Sequence, residues 1–195
     1  TKTCWILKCD IKKFFASIDH AILISILKEY IPDQDIIWLL EKVIYGFSSS
    51  SGRGLTLGNL TSQLFVNIYM NEFDQVIKHK FKTKYYIRYA DDFVVMSQDK
   101  SWLEELLPKI SDFLSECFKL NVHPDKVFIR TLSSGVDFLG WVHFPNHRVL
   151  RTTTKKRMFK RIKANNKPES VCSYLGLLKH GNVYKLRSKV NSFAC

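Results

Sequence analysis

The chain has 195 residues, 46% hydrophobic, 25% charged and 13% aromatic, with a formal net charge of +12. That length suits one domain or one domain plus part of another, and the apolar content can bury a core, which excludes wholesale disorder. No run approaches the ~20 apolar residues of a membrane span, and Lys8, Asp10, Lys12 and Lys13 break the apolar opening that a secretory leader needs. The five cysteines are scattered and form no Cys-x-x-Cys pair, which argues against a disulfide framework or a structural zinc site and for a reducing cytoplasm. The charge is uneven: residues 145–195 hold 13 Lys and Arg against Glu169 alone, while residues 1–144 balance at 17 and 17. A basic block of that kind suits a polyanion, with a solvated tail as the competing reading.

In chain order, Cys4 to Asp10 reads as a mostly apolar strand ending on a carboxylate, followed by a turn at Lys12 and Lys13. Asp19 caps a helix running to about Tyr30, and Pro32 opens a second through Ile37, Leu40 and Ile44. Phe47 to Gly54, with four serines and two glycines, is a loop. A long helix follows from Leu60 to about His79, with Leu64, Phe65, Ile68 and Tyr69 on its apolar side. Two apolar runs, Tyr85–Tyr89 and Phe93–Met96, flank Asp91 and Asp92 as a tight hairpin. Arg88, just before the acids, suits either a phosphate contact or a surface cation. The next helix spans Ser101 to Leu120, where Pro108 is expected to kink or interrupt it. Val127–Thr131 and Val136–Phe144 are expected to pair as a hairpin across Ser133-Ser134-Gly135, which puts Phe138, Leu139 and Gly140 in a core strand. A short strand at Arg148–Arg151, a basic helix from Thr152–Thr154 to Ala164, and one or two helices from Ser170 complete the chain. This order predicts an α+β fold with a small antiparallel sheet backed by helices.

The chemistry concentrates on carboxylates. Two ionised carboxylates about 4 Å apart repel by roughly 4 kcal/mol at an effective dielectric near 20, so a buried hairpin tip carrying Asp91 and Asp92 is costly without a cation. A polar turn is the plain alternative, because Asp is a common turn residue. Asp10 at a strand end would complete the ligand set of a two-metal phosphoryl-transfer site, whose ions clamp the attacking and leaving oxygens. Asp19 is well explained as a helix cap.

These segments resemble the reverse transcriptases, in order, over about three quarters of the chain. Lys8-Cys-Asp-Ile-Lys-Lys-Phe-Phe-Ala-Ser-Ile-Asp-His20 resembles the family's first palm motif, and Gly54-Leu-Thr-Leu-Gly-Asn-Leu-Thr-Ser-Gln63 the second. Tyr89-Ala-Asp-Asp92 is similar to the metal-binding signature, Asn121–Lys126 to the fourth motif, and Val136–Gly140 to the primer grip. Leu57-Gly58 and Ser62-Gln63 are closest to the enzymes of diversity-generating retroelements; group II intron enzymes have Gln-Gly and Ser-Pro there.

The resemblance implies RNA-templated DNA synthesis, error-prone in a diversity-generating element. An intron-like or other bacterial reverse transcriptase and a non-catalytic nucleic-acid-binding palm module are the alternatives. It assigns Asp10, Asp91, Asp92 and the Ile11 carbonyl to two Mg2+ ions, with Mn2+ a substitute, and Lys126 to departing pyrophosphate. Phe15 would gate the incoming sugar, while Leu57, Gly58, Gln63 and Tyr89 would meet the nascent pair. Phe138, Leu139 and Gly140 would form the primer grip. Lys155, Lys156, Arg157, Lys160 and Arg161 would hold nucleic acid. Residues 1–147 would be palm, with 19–57 extending toward the fingers, and 148–195 the start of a helical thumb. Expected partners are an RNA template, a DNA primer, deoxynucleoside triphosphates and a basic accessory protein, with no membrane. The chain opens almost on the first motif, so the expectation is a fragment lacking the finger segments that hold the triphosphate, and inactive alone.

Overall fold

The computed structural model describes residues 3–47, 52–164 and 167–193. By packing, the chain divides into two compact units at Ile129/Arg130. The larger unit opens with β1 (Trp5–Asp10), a single-turn helix α1 (Phe14–Ser17), α2 (His20–Tyr30) and α3 (Gln34–Tyr45). Asp19 and Asp33 cap α2 and α3, each accepting two backbone N–H bonds. Much of the expected Phe47–Gly54 loop lies outside the described residues. Next come α4 (Leu60–Gln75), the hairpin β2 (Tyr85–Tyr89) and β3 (Asp92–Ser97), α5 (Lys100–Phe118) and β4 (Phe128–Thr131), which straddles that boundary.

The four strands form one sheet in the order β2-β3-β1-β4, and both β1–β3 and β2–β3 are antiparallel. Side chains alternate across it. Leu7 and Cys9 of β1 and Phe93 and Val95 of β3 are fully buried and belong to the same apolar core as α4 and α5. Phe73 is an aromatic hub of that core, its ring centroid 5.2 Å from Phe93 and 6.3 Å from Tyr86. Lys8 and Asp10 alternate with the buried pair and take the opposite face. The sheet is therefore a floor with packed helices beneath and polar groups on top.

The smaller unit has its own three-stranded antiparallel sheet, β5 (Val136–Phe138), β6 (Trp141–His143) and β7 (Arg148–Leu150). The helices α6 (Thr152–Ala164), α7 (Pro168–Leu178) and α8 (Tyr184–Asn191) follow. Met158 and Ile162 bury one stripe of α6 in a second core with Trp141 and Leu150. Here Lys155, Lys156, Arg157, Lys160 and Arg161 are all exposed.

The α+β architecture agrees with the sequence reading, and four local expectations are corrected. The Val127–Thr131 run does not pair with Val136–Phe144: β4 joins the β1 edge, and the second run folds on itself as β5 and β6. Leu139 and Gly140 are thus the turn of that hairpin rather than core strand, both with positive φ (52° and 81°). Two positive φ values in a two-residue loop match the right-handed twist of the strands, and Gly140 adopts its conformation without steric cost. Pro108 does not interrupt α5; it lies on the exposed face, where water can satisfy the carbonyl one turn back. α4 gives way to a π-helical turn at Val76–Lys80, and Leu64 is 59% exposed because Phe65, Tyr69 and Phe73 take the buried stripe.

Candidate active site

The β1–β3 register puts Asp10 directly opposite Asp92, on the polar face of the sheet. Asp91 occupies the two-residue loop between the paired Tyr89 and Asp92. The Ile11 N–H donates to the Asp91 carbonyl (3.1 Å), which stitches the turn to the end of β1. On the other side the His123 N–H donates to the Asp10 carbonyl (2.7 Å) and the Lys12 N–H to the Asn121 carbonyl (2.9 Å). The 121–126 segment is thereby laid along β1, and Lys126 Nζ reaches both oxygens of Asp10, at 3.0 and 3.1 Å. All four predicted catalytic side chains converge.

Their electrostatics follow from burial. Asp91 is held above the usual carboxylate range chiefly by desolvation, opposed by a backbone hydrogen bond and reinforced by Asp10. Asp92 is raised by the same desolvation, partly relieved by Lys8 Nζ at 3.2 Å. Asp92 Oδ1 is buried and has no hydrogen-bond partner. Among the described residues no group of three or more His, Cys, Asp and Glu is arranged to hold a metal ion. Asp10 and Asp92 each carry a lysine instead.

Beside the carboxylates lies a concavity of about 490 Å³ whose walls include Phe15, Leu57, Gly58, Gln63, Tyr89 and Asp91. Five residues from three separated motifs therefore share one wall system with a catalytic candidate. The adjacent phenylalanines part company: Phe14 is core, while Phe15 lines the concavity. Leu57 is 75% exposed, and Gly58 has φ 87° with open space around it, so backbone conformation rather than crowding calls for glycine there. Gln63 sits in the first turn of α4, whose N-cap is Asn59. Phe138, Leu139 and Gly140 lie in the other compact unit, where the Arg151 N–H donates to the Gly140 carbonyl (3.0 Å).

Arg88 is not a free surface cation, although it also lines the concavity beside the carboxylates. Its side chain is 9% exposed, and each of its three nitrogens is hydrogen-bonded. Nε and Nη2 grip the two oxygens of Asp74 on α4 at 2.8 and 2.6 Å, and Nη1 reaches Asn67 Oδ1 (3.3 Å) and the Ala90 carbonyl (3.1 Å). Tyr86 donates to the same Asp74 (2.6 Å). Ala90 has φ 53°, a conformation costing roughly 1–2 kcal/mol for a residue with a Cβ. The clamp holds that strained turn from below. The sequence carries no periodic signal for it, because Asp74 is on a different element. Asp19 is a cap as expected; against its desolvation, Lys119 Nζ at 2.9 Å, the Ile22 N–H and Arg53 together hold its carboxyl below the usual range.

Among curated proteins the chain is similar to Protein YkfC of Escherichia coli (25% identical, covering 80% of this chain and 49% of that protein). It is also similar to a putative COX1/OXI3 intron 2 protein of Saccharomyces cerevisiae (28% identical, 42% of this chain and 10% of that protein). The chain thus spans half or less of the length of these curated relatives. Among solved structures, telomerase from Candida albicans in complex with a TWJ fragment of telomeric RNA matches with a TM-score of 0.58 at 15% identity, covering 97% of this chain and 40% of that one. Apo telomerase from Candida tropicalis matches with a TM-score of 0.55 at 13% identity over 73% of this chain and 31% of that one. At those identities the likeness is one of fold. The profile of the family described as reverse transcriptase (RNA-dependent DNA polymerase) matches residues 1–143, the region that contains the carboxylate turn and its concavity. The chain belongs to the reverse transcriptase family.

Proposed function

We propose that this chain carries the palm and the beginning of the thumb of an error-prone RNA-templated DNA polymerase of the diversity-generating type. The observation that carries the reading is the convergence of Asp10, Asp91 and Asp92 beside a concavity that Phe15, Leu57, Gly58, Gln63 and Tyr89 line. What supports divalent ions is the two desolvated carboxylates and an orphaned buried oxygen on Asp92, which such ions would relieve in place of Lys8 and Lys126. Asp10, Asp91, Asp92 and the Ile11 carbonyl would hold them. Bound Mg2+, or Mn2+ in its place, supplies charge neutralisation for in-line phosphoryl transfer.

The chain's own groups do the rest. The Phe15 ring excludes a 2′-hydroxyl and so selects deoxynucleoside triphosphates. Leu57, Gly58, Gln63 and Tyr89 face the nascent base pair. Lys126, which pairs with Asp10, neutralises departing pyrophosphate. The turn at Phe138, Leu139 and Gly140 acts as primer grip, and Lys155, Lys156, Arg157, Lys160 and Arg161 hold the duplex phosphates of primer and template. A basic accessory protein would join the working enzyme, in the cytoplasm. No helix among the described residues is long and apolar enough to cross a membrane.

The intron 2 protein among the relatives favours a second reading, an intron-type reverse transcriptase. Primer extension by the full-length protein on an RNA template, with the products sequenced, tests both. DNA synthesis with errors concentrated at template adenine supports the first. Accurate cDNA supports the second, and no DNA product overturns both.

A further inference from the structure

Lys78, Lys80, Lys82 and Lys84, with His79, sit between α4 and β2 in a stretch that holds no acidic residue. The backbone orders them. Ile77 is fully buried and Thr83 nearly so, and Thr83 closes on Ile77 twice, its N–H (3.1 Å) and its Oγ1 (2.8 Å) both donating to the Ile77 carbonyl. The Phe81 N–H ties back to the Val76 carbonyl across the π-helical turn (2.9 Å). With Ile77, Phe81 and Thr83 turned inward, all four lysines project into solvent. Among the described residues none of the four makes an ion pair, although the nearby Lys100 pairs with Glu104 and Arg88 with Asp74.

Aromatic surface adjoins this charge. Tyr85 is 53% exposed, with the Lys84 ammonium 5.3 Å from its ring centroid. Lys82, Lys84, Tyr85 and Trp102 line a concavity of about 390 Å³. Tyr85 and Tyr89 are the two ends of β2, so this surface begins about 13 Å from the carboxylate turn at ~3.3 Å per residue. Cations spaced along a groove, with a ring free to stack, are the means by which proteins hold single-stranded nucleic acid without reading sequence. Charge alone would suit any polyanion; the exposed ring beside the ammonium favours one with planar bases.

We infer that the Lys78–Tyr85 surface is a second nucleic-acid site, which takes single-stranded RNA flanking the template segment in use. The inference rests on the RNA-templated reading, and the test separates the two. The probe is a fluorescein-labelled single-stranded oligoribonucleotide of mixed sequence, titrated by anisotropy with the full-length protein over a salt series. A Lys80→Ala/Lys82→Ala/Lys84→Ala variant should flatten the log–log salt slope by about 2, at about 0.7 for each single-strand phosphate that a lysine no longer neutralises. Tyr85→Ala should weaken binding at least about fivefold, the lower end of base–aromatic stacking, with its salt slope unchanged. Both variants should still extend a primer on a template that ends at the duplex. Wild-type slope and affinity in both variants would overturn the inference and leave the RNA-templated reading standing. A flattened slope with no effect of Tyr85→Ala would also overturn it, in favour of a surface for acidic proteins or lipid. A wild-type protein that binds no RNA would overturn the inference and the templated reading together.

Discussion

Arg88 and the cations of α6 use the same charge for opposite ends. Arg88 is buried beneath the carboxylate turn, with bonds to Asp74, Asn67 and Ala90. Lys155, Lys156, Arg157, Lys160 and Arg161 are exposed on a helix whose apolar stripe is already spent on Met158 and Ile162, and none of them makes an ion pair among the described residues. The lesson is that a cation's function here is decided by its donors. One whose nitrogens are all bonded within the protein fixes geometry, and one whose donors face water is available to a polyanion. Composition shows only the second kind.

The largest effect is expected at the carboxylates beside Arg88. In the full-length enzyme Asp91→Asn should reduce primer extension by roughly 1,000-fold or more, since metal-linked charge stabilisation contributes several kcal/mol. Circular dichroism should remain that of the wild type. Near wild-type extension in magnesium would remove Asp91 from the site. Next in size is Arg88→Met, which leaves Asp74 without its cation and with Tyr86 as its remaining donor. Truncating one member of a buried pair costs about 3–5 kcal/mol, and the 28% exposure of Asp74 places this case at the low end. Urea unfolding should show that loss, and adding Asp74→Leu should recover much of it. A single-variant loss under about 1 kcal/mol would mean the clamp is ornamental.

For α6 the expected change is in salt dependence rather than stability. Replacing Lys155, Lys156 and Lys160 with alanine should flatten the salt slope for duplex DNA by roughly 0.9 for each phosphate left without its lysine, with the unfolding midpoint unmoved. An unchanged slope would make these lysines solvated bystanders. A smaller effect returns to Asp91. Its folded carboxyl is raised above the unfolded value, so the folded state binds the extra proton between the two, and stability falls as pH rises through that window. Asp91→Asn should therefore be more stable than the wild type at neutral pH. The gain should disappear as pH drops below the ordinary carboxylate range.

What could be read from the sequence was whatever lay in contiguous motifs. Asp10 and Asp91-Asp92 announced themselves as acids at the ends of apolar runs, and the strand register then brought Asp10 opposite Asp92. Asp19 was legible because capping is local. The misreadings come from partners distant in sequence. Ser133-Ser134-Gly135 looks like a hairpin turn, but β4 has a longer-range partner in β1, and the true hairpin turn is Leu139-Gly140 inside an apparently continuous apolar run. Arg88 lies 14 residues from Asp74 on another element, so neither α-helical nor strand periodicity links them. The lysines at 78–84 do not stand out because the charge of residues 1–144 sums to zero, and an average over that length hides a local excess.

The smallest expected effect separates the two readings of the enzyme's fidelity and rests on Leu57. The side chain is 75% exposed on the wall of the concavity that also holds Tyr89 and Asp91, so it can touch an incoming pair without supporting the core. A glutamine at that position, which the sequence resemblance assigns to group II intron enzymes, would add an amide donor and acceptor that sense the geometry of the pair. Leucine keeps the volume and offers neither. One hydrogen bond contributes about 0.5–1.5 kcal/mol net, which corresponds to a several-fold change in error rate and no more. Leu57→Gln in the full-length enzyme should therefore lower misincorporation several-fold, and more at template adenine than at other bases. Because the residue is exposed, stability should stay within about 0.5 kcal/mol, so a change in the cDNA error spectrum would report discrimination rather than folding. Identical spectra from the two proteins would reduce Leu57 to wall packing and shift the choice toward the intron-type reading.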